Sequence, residues 1–134
     1  MSDPRPKKFK IIINPKAGQG KSNKWFVRDV LPILMAAGTN VVNGDMAPAP
    51  KPGEDTNDRS EYHITTIARE AIRIAQEMKL NGRFDAVLNV GGDGGIHEII
   101  QGLTSRKDGV DGRDALEEVA IATIPAGTVP VESS

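Results

Sequence analysis

Residues 85–102 read D-A-V-L-N-V-G-G-D-G-G-I-H-E-I-I-Q-G, and no other stretch limits the fold so tightly. Residues 86–90 form a short apolar run suited to a buried strand, and Ile96, Ile99, Ile100 and Leu103 recur at helical spacing. Between them lies a turn in which Asp93 is the one residue with a side chain, beside Gly91, Gly92, Gly94 and Gly95. Glycine permits positive φ and lets a ligand approach the main chain closely. The helix that follows points free N–H groups back at the turn, an arrangement that suits a phosphate. A carboxylate beside an anion site is costly unless a metal, a lysine or a reacting proton compensates it. Asp93 therefore reads as functional.

The remaining elements are read outward from this unit. Phe9 to Ile13 is a β-branched run and the first strand, ended by Asn14-Pro15 because proline cannot continue a central ladder. Residues 16–21 form a loop, with Ser22 or Asn23 as the N-cap of the next helix. Phe26, Val27, Val30, Leu31 and Leu34 mark an amphipathic helix over 24–37, closed by Gly38. Pro32 predicts a kink or break in it near Val30. Val41-Val42 is a weak second strand, and the proline-bearing residues 44–60 read as an irregular surface loop. Ile64, Ile67, Ala68, Ala71, Ile72, Ala75 and Met78 predict one long helix over 61–80, stopped by Asn81-Gly82. Residues 105–114 read as a loop, 119–124 as a fourth strand, and 125–128 as a turn leaving it. No internal repeat is present.

Strand–helix three times and then a strand predicts an α/β fold. Its parallel sheet has about four strands, with helices on both faces. One nucleotide-binding domain is expected over 9–128, with a frayed polar terminus at 1–8 and a short tail at 129–134. The loops 14–21, 91–95 and 125–128 all leave strands at the carboxyl end of the sheet, where ligands sit in such folds.

Composition removes several function classes. The 17 basic and 18 acidic residues nearly cancel, which argues against a general nucleic-acid binder. Lys7, Lys8 and Lys10 read as a solvated edge rather than a basic patch. The absence of cysteine removes disulfides and thiolate metal sites, and two distant histidines make no zinc site. No metal ligand is assigned. No apolar run approaches the ~20 residues of a membrane span, and the polar start is not a signal peptide. A cytoplasmic protein is the expectation, with any membrane contact peripheral.

The first loop, N-P-K-A-G-Q-G-K-S, is a near miss to two phosphate-binding patterns. Pro15 stands where a P-loop has its first glycine, and Asn23 where a dinucleotide fingerprint has its third. Lys16 and Lys21 favour a phosphate there. In the second loop Asp93 has two chemical roles open to it: general base on an acceptor hydroxyl, or Mg²⁺ ligand beside phosphate oxygens. A lone aspartate can also bond its own turn. Glu98 complements the helix dipole whether or not it meets a ligand, and His97 reads as a surface or packing residue.

Taken together, N-P-x-x-G-x-G after the first strand, G-G-D-G-x-x-x-E after the third and P-A-G-T after the fourth resemble the catalytic domain of the diacylglycerol kinase family. His97-Glu98 and I-I-Q-G-L resemble its sphingosine and long-chain-base kinases in particular. The likeness covers about residues 9–128. It implies a lipid kinase that moves the γ-phosphoryl of ATP, with Mg²⁺, to a lipid hydroxyl of a sphingoid base or diacylglycerol. It implies Asp93 as the catalytic aspartate. Nucleotide would be met by Asn14, Pro15, Lys16, Gly18, Gly20 and Lys21 in the first loop and by Gly91, Gly92 and Gly94 in the second. Glu98 would join them, and Gly127 and Thr128 would form the far wall.

Several residues depart from the family pattern. Gly95 replaces a threonine or larger apolar residue, Gln19 a frequent basic residue, and Val129-Pro130 the usual G-N. The nucleotide threonine is open between Thr56, Thr65 and Thr66. The family's second, mainly β domain is absent from this sequence, and by resemblance it carries much of the lipid pocket. Two rival expectations follow: a non-catalytic truncated remnant or splice form, and an NAD kinase or phosphofructokinase relative, since those also carry G-G-D-G turns. The partners expected are a lipid substrate, a membrane surface in passing, and either self-association or a full-length kinase; no nucleic acid is expected.

Overall fold

The computed structural model describes residues 7–14, 24, 26–67 and 69–124, with the backbone alone at Asp93. The loop of residues 15–21, the cap at Ser22 or Asn23, Ala68, the 125–128 turn and the 129–134 tail lie outside the described residues. So does all of the expected frayed terminus but Lys7 and Lys8.

Five strands form one parallel sheet in the order β2-β3-β1-β4-β5. They are β1 (Phe9–Ile13), β2 (Asn40–Asn43), β3 (Arg59–Ile64), β4 (Ala86–Val90) and β5 (Ala120–Ile124). Strand β1 is central: Lys10 stands opposite Glu61 of β3 on one side and Val87 of β4 on the other. Side chains alternate across it. Ile11 and Ile13 face one layer and Ile12 the other, as a strand buried on both faces requires.

The helices are α1 (Leu31–Ala36), α2 (Glu70–Glu77), α3 (Asp93–Leu103) and α4 (Gly112–Glu118). A π-helical turn, Phe26–Val30, precedes α1. On one face Ile12 and Val87 pack with Ala71, Ile74 and Ala75 of α2, Ile99 and Leu103 of α3 and Ala115 of α4. On the other, Phe26, Val30, Leu31 and Leu34 cover Ile11, Ile13 and Val90. The kink or break expected near Val30 takes the form of a switch from π-helical to α-helical winding: Val30 ends the π turn and is the N-cap of α1, with Pro32 in its first turn. Proline there forfeits only an N–H that has no helical partner. Gly38, at φ 89°, then closes the helix with its N–H on the Met35 carbonyl.

Four expectations are corrected. The sheet has five strands, not about four, because Arg59–Ile64 is a strand and not the end of a loop followed by a helix. Its Tyr62 and Ile64 bury beside Ile11 and Ile13, while Glu61 faces Lys10 across the ladder. Only Glu70–Glu77 of the expected 61–80 helix is helical, and Ile67 of its stripe is 72% exposed. Residues 112–118 are helical where 105–114 read as loop, nucleated by Asp111, whose side chain accepts from the Arg113 N–H at 2.9 Å. Lys10, read as part of a solvated edge, is buried.

The amino ends of β1, β3 and β4 are tied by charge. Lys10 Nζ donates to Glu61 Oε1 at 2.7 Å and lies 5.3 Å from the Phe84 ring centroid. Arg83 stacks on the same ring at 4.1 Å and reaches Glu61 Oε2 at 3.5 Å. Burial pushes the Glu61 carboxyl up, but the bond from Lys10 and the charges of Lys10 and Arg83 outweigh it and hold the group below the usual carboxylate range. Arg59 grips Glu54 through two nitrogens, at 2.7 and 2.9 Å. With a further N–H bond from Lys51, this lowers the Glu54 carboxyl to about 2.

Candidate nucleotide site

At the opposite end of the sheet a cavity of about 520 Å³ opens beyond the carboxyl ends of β1, β3 and β4. That volume is in the range of small-molecule sites. Ile12 and Asn14 line it from β1 and its exit, Ile64 to Ile67 from β3 and its exit, and Arg69, Glu70 and Ala71 from the start of α2. Asn89, Gly92, Gly94, Gly95 and Glu98 complete it from β4, the glycine turn and α3.

The turn is built as the sequence suggests. Gly92 is the N-cap of α3 and supplies no side-chain cap; the Gly95 N–H bonds back to the Gly92 carbonyl at 3.1 Å, and the positive end of the helix dipole borders the cavity. A Cβ added at Gly92 or Gly94 would meet nothing within 4 Å. These glycines keep space open rather than relieve crowding. Gly91 is buried and its N–H reaches the Ile124 carbonyl at 3.2 Å, which ties the turn to β5. The Asp93 backbone is the first residue of α3.

Gly95 is different. A Cβ there would collide with Oδ1 of Asn89. Asn89 is 1% exposed, and its Nδ2 donates to the Gly92 carbonyl at 2.9 Å and to Thr123 Oγ1 at 3.5 Å. It clamps the turn and leaves no room for a side chain at position 95.

Of the expected site residues, Asn14, Gly92, Gly94 and Glu98 border this cavity. Gly91 lies beneath it in the turn, and Asp93 begins the adjoining helix. Pro15, Lys16, Gly18, Gly20, Lys21, Gly127 and Thr128 lie outside the described residues. Thr65 and Thr66 line the cavity, whereas Thr56 sits in a 3-10 turn at the other end of β3. Thr65 donates to the Ile13 carbonyl through both N–H and Oγ1. Thr66 N–H donates to Glu70 Oε1 at 2.7 Å, which with the Arg73 contact holds the Glu70 carboxyl below its usual range. His97 is exposed and away from the lining.

Sequence reasoning passed over Asn89, Arg69 and Glu70. Asn89 did carry a signal, as the one polar residue in an apolar run. Arg69 and Glu70 carried none, because they were read inside a helix rather than at its start.

No three carboxylate or imidazole groups cluster to hold a metal among the described residues. The donor set instead suits Mg²⁺ bound mainly through phosphate oxygens and one or two carboxylates. Glu98 is a cavity carboxylate with no hydrogen-bond partner among the described residues. Nor is any helix among the described residues long and apolar enough to cross a membrane.

Comparison with known proteins agrees with this geometry. The chain is 32% identical over 124 residues to sphingoid long chain base kinase 5 of Saccharomyces cerevisiae, covering 92% of this chain and 15% of that protein. It is 28% identical over 128 residues to human sphingosine kinase 1, covering 93% and 26% respectively. Among solved structures, a putative diacylglycerol kinase from Bacillus anthracis superposes with a TM-score of 0.54 at 26% identity, over 91% of this chain and 33% of that one. The chain thus spans a third or less of these relatives. The family model of the diacylglycerol kinase catalytic domain matches residues 8–131. The chain belongs to the diacylglycerol kinase catalytic domain family.

Proposed function

We propose that this chain is the ATP-binding part of a lipid kinase that transfers the γ-phosphoryl of ATP to the hydroxyl of a sphingoid base or diacylglycerol. The observation that carries the reading is the uncapped N-terminus of α3 opening through Gly92 and Gly94 into a cavity of about 520 Å³. Family membership supplies the reaction class.

Phosphoryl transfer asks a protein mainly for positioning and charge neutralisation. Here the α3 N–H groups would hold phosphate oxygens, and Glu98 would carry Mg²⁺ or a ribose hydroxyl. Bound Mg²⁺ supplies neutralisation of phosphate charge. Asp93, at the first position of α3, would accept the proton of the acceptor hydroxyl. Asn14, Gly91, Gly92 and Gly94 form the described part of the nucleotide cradle. The loop containing Pro15, Lys16, Gly18, Gly20 and Lys21 would complete it, with Gly127 and Thr128 beyond β5. Transfer to lipid, and passing contact with a membrane surface, are proposed for a protein of the relatives' length; nucleotide binding is proposed for this chain.

Calorimetry with Mg-ATP tests the reading. Wild type should bind, and Gly92→Asp should not, since its carboxylate would occupy the phosphate position. That variant should nevertheless melt at or slightly above the wild-type midpoint. Asp is a better N-cap than Gly by a few tenths of a kcal/mol, and a Cβ at Gly92 meets open space. Absence of heat from the wild type would sink the proposal. With labelled ATP, the chain alone should phosphorylate sphingosine or diacylglycerol weakly or not at all. Phosphorylation of NAD would favour the NAD kinase alternative.

A further inference from the structure

We propose that Arg69 is a polyphosphate-binding residue, meeting the nucleotide's phosphates from the α2 side of the cavity while the α3 N-terminus meets them from the other. The inference rests on the nucleotide reading above and extends it to a residue that no motif singles out.

Charge balance is the first argument. The cavity lining contains two carboxylates, Glu70 and Glu98, and one cation, Arg69, among the described residues. A helix N-terminus offers about half an elementary charge, far short of what a triphosphate carries. Backbone dipoles facing two carboxylates need added positive charge, which Lys16, Lys21 and Mg²⁺ of the proposed cradle would share with the described lining. A guanidinium at the rim alters that balance, and its planar fork matches two phosphate oxygens at once.

The second argument is availability. Arg28, Arg59, Arg73, Arg83 and Arg106 each hold a carboxylate. Arg69 and Arg113 hold none among the described residues, and of the two Arg69 alone lines the cavity. Arg69 is exposed, so a ligand can reach it.

The third is conformation. Arg69 sits at φ 67° and ψ 11°, in the left-handed region, as the N-cap of α2. Its side chain makes no capping bond there. A glycine would take that backbone without the steric cost that a side chain adds. The fold thus carries a long cation at a position where local stability favours no side chain. Such costs persist where a site uses the residue.

The test is calorimetry of the whole chain with Mg-ATP, Mg-ADP and AMP, beside thermal melts. Arg69→Gly should lose roughly ten- to hundredfold in ATP affinity, the range of a charge-assisted phosphate contact. It should lose less for ADP and little for AMP, while its melting midpoint stays level or rises. Arg69→Lys should fall between it and wild type. If Arg69→Gly bound ATP as wild type does, or lost ATP and AMP alike, the role assigned to Arg69 would be wrong. If Arg69→Gly melts lower than wild type, the ATP-to-AMP ratio of Arg69→Lys decides by the same criterion. Failure of the wild type to bind ATP would instead remove the nucleotide reading and this inference with it.

Discussion

Three strands, β1, β3 and β4, end in opposite chemistry at their two ends. At the amino ends Lys10, Glu61 and Arg83 share bonds and the Phe84 ring, Lys8 holds Asp85 and Gly82, and Arg59 holds Glu54. At the carboxyl ends α3 starts uncapped, Glu98 and Arg69 have no partner among the described residues, and glycines leave space empty. One end satisfies its polar groups internally. The other holds polar groups ready for something that is not the protein. Changes at the first should cost stability and spare nucleotide binding; changes to Gly92, Glu98 or Arg69, the open groups of the second, should do the reverse.

The largest effect should come from Glu61→Gln. It leaves Lys10 and Arg83, with side chains 9% and 8% exposed, without their shared anion. Breaking a pair of this burial costs about 3 kcal/mol or more. Urea unfolding should show that loss while Mg-ATP affinity of the folded fraction is unchanged. A Glu61→Gln protein that is stable but no longer binds ATP would break the division between the two ends.

Asn89 and Gly95 sharpen the division at the other end. Gly95→Ala alone forces a methyl against Asn89 Oδ1 and should cost about 1–3 kcal/mol, as overpacking does. Asn89→Ala alone releases the Gly92 carbonyl and should cost about 1 kcal/mol. Combined, they should cost about 1 kcal/mol less than their sum, and the double variant should still bind Mg-ATP more weakly than wild type because the turn is no longer clamped. Strict additivity would show that Asn89 is simply a buried amide.

The smallest effect is that of acid. Glu54 and Glu61 have folded-state pKa values below the ordinary value near 4.5. Their contribution is therefore complete above about pH 4.5, and protons bind the unfolded chain first as pH falls below it. Stability should decline from there, with the Glu54 share lost down to about pH 2. Glu54→Gln should flatten the lower part of that profile. His63 adds a shallower slope higher up: burial, then the charge of Lys10, lowers its pKa below 6.5, so its share is present above pH 6.5 and fades beneath it. A denaturant midpoint that is flat from pH 7 to 3 would contradict both.

Much of this was legible in the residues. The apolar runs of β1 and β4, the glycine turn, the α3 stripe and the proline break before α1 are local patterns, and local patterns survive folding. What escaped was set by distant contacts. Tyr62, His63 and Ile64 are good strand formers, yet Ile64, Ala71, Ile72 and Ala75 also fit a helical period. The decision was made by Lys10, Ile11 and Ile12, which pair with β3 from about 51 residues away. The same misassignment hid Arg69, whose place at the start of α2 exists only once β3 ends at Ile64. The short α4 was betrayed only by Asp111, one capping residue among loop-like neighbours.

The placement of β1 has a consequence in time. Of the five strands of this sheet it is the first to be synthesised, yet it is the centre. Its β3 partner is made about 51 residues later, and Lys8 meets Asp85, ahead of β4, only 77 residues on. Until β3 is made Ile11, Ile12 and Ile13 have no neighbouring strand, and a parallel sheet closed by such distant pairings forms slowly. A nascent chain stalled before residue 59 would therefore present an unpaired isoleucine strand, a natural target for a holding chaperone. Release of that hold should track synthesis of β3 and then β4 rather than that of any helix.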